Sequence, residues 1–169
     1  MKNNSKLLPI LFFPYLFLII MICFFTLHQV LGIGTIWFLA FLLSGGSFVI
    51  AIINLIQAKN GKYSAAELAA TNKLIKSVHI PAYILICLVA IFGCIFLSVW
   101  GIGISIFLFF LDAITIFLSG LIGVSAVICG VRENKISGST GMLYGFLSFI
   151  FCIDVIIAFV YNSKIKKMQ

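Results

Sequence analysis

Residues 104–130 read ISIFLFFLDAITIFLSGLIGVSAVICG. The stretch exceeds the ~20 apolar residues that cross a bilayer as a helix, and it holds a single charged group, Asp112. At about 100° per residue, Asp112, Thr115, Ser119, Gly123, Ala126 and Gly130 fall close to one face. Small and polar groups concentrated on one face are suited to close approach by another helix, whereas lipid gains nothing from them. This helix is therefore expected to be the one around which the others pack.

Composition agrees with a membrane setting. The chain has 169 residues, 63% of them hydrophobic and 9% charged, with a mean hydropathy of +1.28; soluble domains are nearer half apolar and about a quarter charged. The expected fold is all-α: a polytopic transmembrane helical bundle of about five helices, two tandem helical hairpins plus one C-terminal helix, forming a single integral membrane domain over residues 1–169. No length remains for a soluble domain, so function has to lie in the bilayer, in short loops or at a partner. The net charge of +7 comes from Lys and Arg at the ends and in the connections. They form no stripe with interleaved aromatics, which excludes nucleic acid as the partner. The five cysteines, Cys23, Cys87, Cys94, Cys129 and Cys152, fall within predicted helices and contain no C-x-x-C pair, so they read as small apolar residues rather than as a disulfide or metal framework.

On the C-terminal side of the opening stretch, VRENKISGST (residues 131–140) is a polar turn leading to a fifth predicted helix over residues 141–161, followed by Lys164, Lys166 and Lys167. Gly141, Gly145, Ser148 and Cys152 sit at i, i+4, i+7 and i+11, the spacing of Ser119, Gly123, Ala126 and Gly130. Helices four and five are therefore expected to pack antiparallel through these two stripes.

On the N-terminal side, MKNNSK precedes an apolar run over residues 7–30. That run is longer than a signal-peptide core of ~7–15 residues and no A-x-A-like site follows it, so an uncleaved first helix is expected. Leu31-Gly32-Ile33-Gly34 turns the chain into a second run over residues 35–57, completing a first hairpin within residues 1–63. Residues 64–79 form the expected cytoplasmic connector: Ser64 and Glu67 have capping-box spacing, a surface helix is predicted over residues 65–77, and Lys59, Lys62, Lys73 and Lys76 mark the region as polar. The second hairpin covers residues 80–131 and turns near Gly101-Ile102-Gly103. It echoes the first. Lys6-Leu7-Leu8 with Pro14 matches Lys73-Leu74-Ile75 with Pro81, the Gly-Ile-Gly turns correspond, and Leu43-Ser44-Gly45 matches Leu118-Ser119-Gly120. Five spans with the positive charge inside place the N-terminus in the cytoplasm and the C-terminus outside, in a cell inner (cytoplasmic) membrane. The tail lysines on the outer side are an irregularity in that topology, which one run that fails to span would remove.

Two carboxylates, Asp112 and Asp154, fall within predicted spans, at matching depth below the outer ends of their helices. A membrane carboxylate is costly unless it is protonated, paired or functional. Paired membrane aspartates invite comparison with lipoprotein signal peptidase, but FFLDAIT around Asp112 lacks N-x-x-D-R and FCIDVII around Asp154 lacks F-N-x-A-D. Asp112 shares the small-residue face of its helix and Asp154 points away from its own stripe, so the two are not expected to face each other. With no Lys or Arg inside a predicted span, each acid is expected to bond to Thr115 or a carbonyl, to pair with a cation on another subunit, or to carry a proton or cation. His28, near the outer end of helix one, is a third candidate for a polar, partner or ion site; one His with two Asp is no metal signature. Sequences for phosphate, dinucleotide, zinc-protease and serine-hydrolase sites are absent, so no catalytic residue, metal or cofactor is assigned. The expected function is non-enzymatic: a subunit or accessory of a larger transport or secretion complex in the lipid bilayer, of which an immunity-like role is one form, held to other membrane protein subunits by its packing stripes and by Asp154. The alternative is a small proton- or cation-coupled transporter or channel using Asp112, with an intramembrane aspartyl enzyme ranking third.

Overall fold

The structure is a computed structural model that describes residues 4–168, including their side chains except at positions 4, 5, 21, 23–25, 27–31, 33, 97, 98 and 100. The described residues are helical with no strand. A short 3-10 turn (Asn4–Leu7) leads into α1 (Leu8–Leu11), α2 (Phe13–Leu31), α3 (Ile33–Lys59), α4 (Ala65–Arg132), α5 (Gly138–Leu147) and α6 (Ile153–Lys166). Gly32, with a φ of 75°, joins α2 to α3 in a left-handed conformation that costs glycine nothing sterically.

Helical geometry runs on through α4, but the helix doubles back on itself. A straight helix would separate Lys76 and Ser119 by about 65 Å; their side chains are hydrogen-bonded at 2.7 Å. Ser105 likewise donates to the Ala90 carbonyl at 3.1 Å. The reversal lies between two limbs, Ala65–Phe96 and Gly101–Arg132. There the backbone of Gly101 lies so close to that of Gly93 that a Cβ on Gly101 would overlap the Gly93 carbonyl. The two limbs and α3 supply three stretches long and apolar enough to cross a bilayer, Gly34–Lys59, Ala65–Phe96 and Gly101–Arg132, as expected of a membrane protein. Of the most apolar window in each, 72% is buried in the second limb against 22% and 28% in the others, so the stretch containing Asp112 is the central helix.

The expected surface helix over residues 65–77 is instead the beginning of the first limb. Ala65, Leu68, Ala69, Asn72, Ile75, Lys76, His79 and Ala82 are all buried, one face at helical spacing that continues across the expected boundary at residue 80. Lysines on that segment signal exposure only if they point away from this face, and Lys76 points into it. Ser64 caps the limb, accepting the Glu67 amide at 3.2 Å. The Ala65 amide is taken at 2.7 Å by Glu133, which stands beyond the far end of the second limb. Arg132 completes the closure by donating to the carbonyls of Ala58 and Tyr63.

Burial works against ionisation of Glu133, but the Lys135 hydrogen bond, the Ala65 amide, and the Lys135 and Arg132 charges together hold its carboxyl below the usual range. The stabilisation this supplies is present above the ordinary carboxylate pKa and lost as pH falls through the lowered value. Thermal unfolding followed from pH 7 down to about pH 3 should therefore show a loss of stability that Glu133→Gln flattens. An unchanged profile in the variant would exclude the contact.

The predicted fifth helix over residues 141–161 is not one helix. α5 runs antiparallel to the second limb: a Cβ on Gly141 would lie 2.6 Å from Val131, one on Gly123 2.8 Å from Ser148, and one on Gly120 2.7 Å from Phe149. The chain then leaves the helix at residues 148–152, where Cys152 has a φ of 63°, and α6 returns alongside the second limb. Tyr161 donates to the Ala126 carbonyl at 2.8 Å, and Ile165 packs with Ala58, Tyr63, Ala65 and Ile136. The C-terminal helices thus form a short hairpin that turns beside Gly120 and goes back to the end it came from. Sequence alone could not show this, because the apolar residues carry on through the break without Gly or Pro to mark it. Lys6 and Leu7 lie beside Gln57 and Tyr63 at that same end, so the two termini share a side of the molecule. This differs from the opposite ends that five spans predict. Reporter cysteines placed next to Lys6 and after Lys166 should react with a membrane-impermeant maleimide from the same side of a sealed vesicle; labelling from opposite sides would rule this arrangement out.

Candidate functional site

Because the C-terminal hairpin stops part-way, the second limb has two halves. From Thr115 to Gly130 it is enclosed almost all round, whereas over residues 102–114 Leu108 and Leu111 are its only fully buried positions. The polar residues of the core gather where the enclosed half meets the open one.

In the enclosed half, Lys76 is fully buried, and its ammonium donates to Ser119 Oγ at 2.7 Å and to Asp154 Oδ2, with which it forms an ion pair. Ser119 can accept because its own hydroxyl proton is directed to the Thr115 carbonyl at 2.8 Å. Asp154 stands in the first turn of α6, where free amide groups favour an anion. Asp154 therefore has a cationic partner within its own chain, contrary to expectation. A surface helix over residues 65–77 would leave Lys76 in solvent; the signal that it is internal is its place on the same helix face as Leu68, Asn72, Ile75 and His79, all buried. One turn further, His79 Nε2–H donates to the Ile10 carbonyl at 3.0 Å, and the Tyr15 hydroxyl donates to the Val78 carbonyl at 2.7 Å. These bonds tie the N-terminal helices to the first limb.

In the open half, Tyr83 of the first limb and Asp112 of the second sit at the same level of the α4 hairpin, by the register that pairs Ala90 with Ser105 and Lys76 with Ser119. Asp112 Oδ1 is a buried atom with no hydrogen-bond partner among the described residues, as is the second oxygen of Asp154, Oδ1. Thr115 does not serve Asp112; its hydroxyl donates to the Leu111 carbonyl at 2.8 Å within its own helix. Asp112 has no hydrogen bond or ion pair with Asp154 or Lys76 among the described residues. The depths of the two acids differ as well. Asp154 is level with Ser119, about 10 Å further along the second limb than Asp112 at 1.5 Å per residue.

Beside Asp112 a cleft of about 670 Å³ opens on the uncovered flank, bounded by Tyr83, Ala90, Ser105, Phe109, Phe117, Phe149 and Phe151 among others. The tip of the C-terminal hairpin forms its roof: Phe149 packs on Phe117 with ring centroids 5.7 Å apart, and Phe151 meets Tyr83 edge-on at 5.7 Å. Among the described residues no three His, Cys, Asp or Glu side chains gather as a metal site would require, and Cys87, Cys94, Cys129 and Cys152 are free thiols. The side chain of His28 lies outside the described residues.

The stripe residues fall into four groups. Gly123 and Ser148 meet directly, Gly141 abuts Val127 and Val131, and Gly145 is in ordinary contact with Val124. Gly130 and Ala126 face Tyr161 of α6, and Ser119 serves Lys76. Cys152 ends the break and is exposed, outside the expected interface.

The cluster thus contains one basic group, Lys76, and two acids, Asp112 and Asp154, in an otherwise apolar bundle. With Asp154 paired to Lys76, Asp112 has no ion-pair partner among the described residues. Comparison with protein-family models, curated proteins and solved structures finds no match to this chain.

Proposed function

We propose that this protein is a small, non-enzymatic, multi-span membrane protein that takes up a proton or a cation at Asp112, working as a proton- or cation-coupled transporter. The observation that carries the reading is the unbalanced acid: a carboxylate oxygen buried beside a cleft, without a hydrogen-bond partner among the described residues, next to a second carboxylate that already has Lys76 as its counter-charge. A negative charge in that position costs several kcal/mol unless a counter-charge or proton joins it. Exchange of that counter-charge is the elementary step of coupled transport. With the reversal after Phe96 at one face of a ~30 Å hydrocarbon core, Asp112 lies about 17 Å in, near the midplane, and the Lys76–Asp154 pair about 27 Å in, near the far headgroups. The C-terminal hairpin turns beside Gly120, about 28 Å in by the same count, so it covers the far end of the second limb and leaves the level of Asp112 open on one flank. The titratable groups around Asp112 that bear on its charge are Lys76, Tyr83 and Cys87 from the first limb, and Asp154 from the C-terminal hairpin.

The positive-inside rule then orients the molecule. Lys6, Lys59, Lys62, Arg132, Lys135 and the tail lysines all gather at one end, supporting both termini in the cytoplasm and an inner-membrane location. An aspartyl enzyme is disfavoured because Asp154 is committed to Lys76 and stands about two turns along from Asp112.

Purified protein reconstituted in liposomes with an internal pH dye, under an imposed gradient, should pass protons or exchange them for a cation. Asp112→Asn should reduce that flux about tenfold or more, with an unchanged melting temperature. Flux equal to wild type in Asp112→Asn would remove the proposal. The second reading is the subunit one, and the same unbalanced charge supports it: a Lys or Arg from a partner's helix would neutralise Asp112, the role first expected of Asp154. A mild-detergent pull-down that yields a stoichiometric second protein, lost in Asp112→Asn and retained in Asp154→Asn, would favour this over transport.

A further inference from the structure

The uncovered flank of the second limb has the chemistry of a ligand site. Its volume, about 670 Å³, is within the ~300–1,000 Å³ range of small-molecule pockets and far short of what a second transmembrane helix would fill. The walls are apolar and aromatic apart from Tyr83, Cys87, Ser105 and Asp112, and Asp112 Oδ1 is a buried atom with no hydrogen-bond partner among the described residues. The cleft opens sideways, where Phe109 and Phe117 are exposed, so a ligand would reach it through the hydrocarbon of the bilayer. A carboxylate accepts positive charge, and ring faces attract cations most strongly where water is excluded.

We infer that this cleft binds a lipophilic organic cation, seated with its charge at Asp112 and its apolar body among Phe109, Phe117, Phe149 and Phe151. The inference rests on Asp112 being the exchangeable cation site, and it names the class of substrate that the site carries. Proton and organic cation compete for one carboxylate, so the binding of one expels the other. The cation stays chemically unchanged, and the proton released goes to solvent.

Tetraphenylphosphonium, a lipophilic cation with no proton of its own to lose, is the probe. Its binding to the full-length protein in micelles is measured by calorimetry and by equilibrium dialysis, with triphenylphosphine oxide as the uncharged comparison. Saturable binding is expected, with up to one proton released per cation and an affinity rising about tenfold per pH unit while Asp112 is protonated. Asp112→Asn should weaken it by about tenfold or more, and Phe149→Ala by several-fold, with Phe149→Ala retaining the pH dependence. Melting temperatures verify that both variants are folded. Binding that survives Asp112→Asn, or that triphenylphosphine oxide matches, would be simple partitioning and would overturn the inference. Asp112-dependent proton flux without any phosphonium binding would overturn the organic cation while leaving the proton reading intact; absence of both would overturn both. A copurifying protein that shields Cys87 in the cleft from alkylation would show the flank to be covered by a partner, and would also overturn the inference.

Discussion

Asp154→Asn is expected to destabilise the folded protein by about 3–5 kcal/mol, because it leaves the Lys76 ammonium buried without its counter-charge. Lys76 is fully buried and its remaining partner would be the Ser119 hydroxyl, which bears no charge to offset the lost solvation. The ion pair itself is a different matter. Taking two charges out of water cancels most of their attraction, so the double variant Lys76→Met with Asp154→Leu should recover most of the loss. Unfolding by heat or by added sodium dodecyl sulfate, run on wild type, both single variants and the double variant, closes a thermodynamic cycle whose coupling measures the pair. Asp112→Asn belongs in the same series as an internal contrast: Asp112 is half-buried and its inner oxygen has no partner to lose, so its stability should stay near wild type. Equal losses at Asp112 and Asp154 would mean that the charges are not divided as the structure divides them.

The second large effect concerns the seam between the central helix and the C-terminal hairpin. A Cβ on Gly120 would come within 2.9 Å of the Ser148 carbonyl as well as against Phe149, and one on Gly123 would meet Ser148 Cβ at 3.1 Å. Backbone lies behind both contacts, so the seam has little room to relax. Gly120→Leu and Gly123→Leu should each cost about 1–3 kcal/mol or detach the hairpin altogether. Gly46→Leu and Gly103→Leu, at positions with nothing within 4 Å, should stay within about 0.5 kcal/mol of wild type. Melting temperature reads the cost. Limited proteolysis after residue 137 reads detachment, since a hairpin that has lost its seat exposes its links. If all four variants behave alike, the seam is not where these helices are held.

Several features were legible from local information. Composition alone marks a helical membrane protein, and the run of small residues from Ser119 to Gly130 identified a helix that must meet protein. The turn at Gly32 was readable because glycine tolerates a φ of 75° that other residues avoid. The polar site was legible only in part. Asp112 and Asp154 stand out as carboxylates among apolar residues, but Lys76 and Tyr83 do not. A lysine near a predicted interface looks solvated until the face it occupies is known, and a tyrosine in an apolar run looks like bulk.

What the sequence by itself determined is therefore the solvent, the class of secondary structure and the cost of each misplaced charge, since all three follow from the chemistry of residues close together in the chain. Whether an apolar run crosses or turns back, and which cation neutralises which acid, was decided by tertiary structure. Residues 148–152 contain no helix breaker to announce their reversal, and it is packing of Phe149 and Ser148 on Gly120 and Gly123 that seats it. Lys76 and Asp154 are 78 positions apart; their pairing depends on the register of α4 folded on itself and on α6 returning beside it. In an apolar medium that pairing is far more consequential than in water, so the feature least visible in the sequence determines which acid, Asp112, has no ion-pair partner among the described residues.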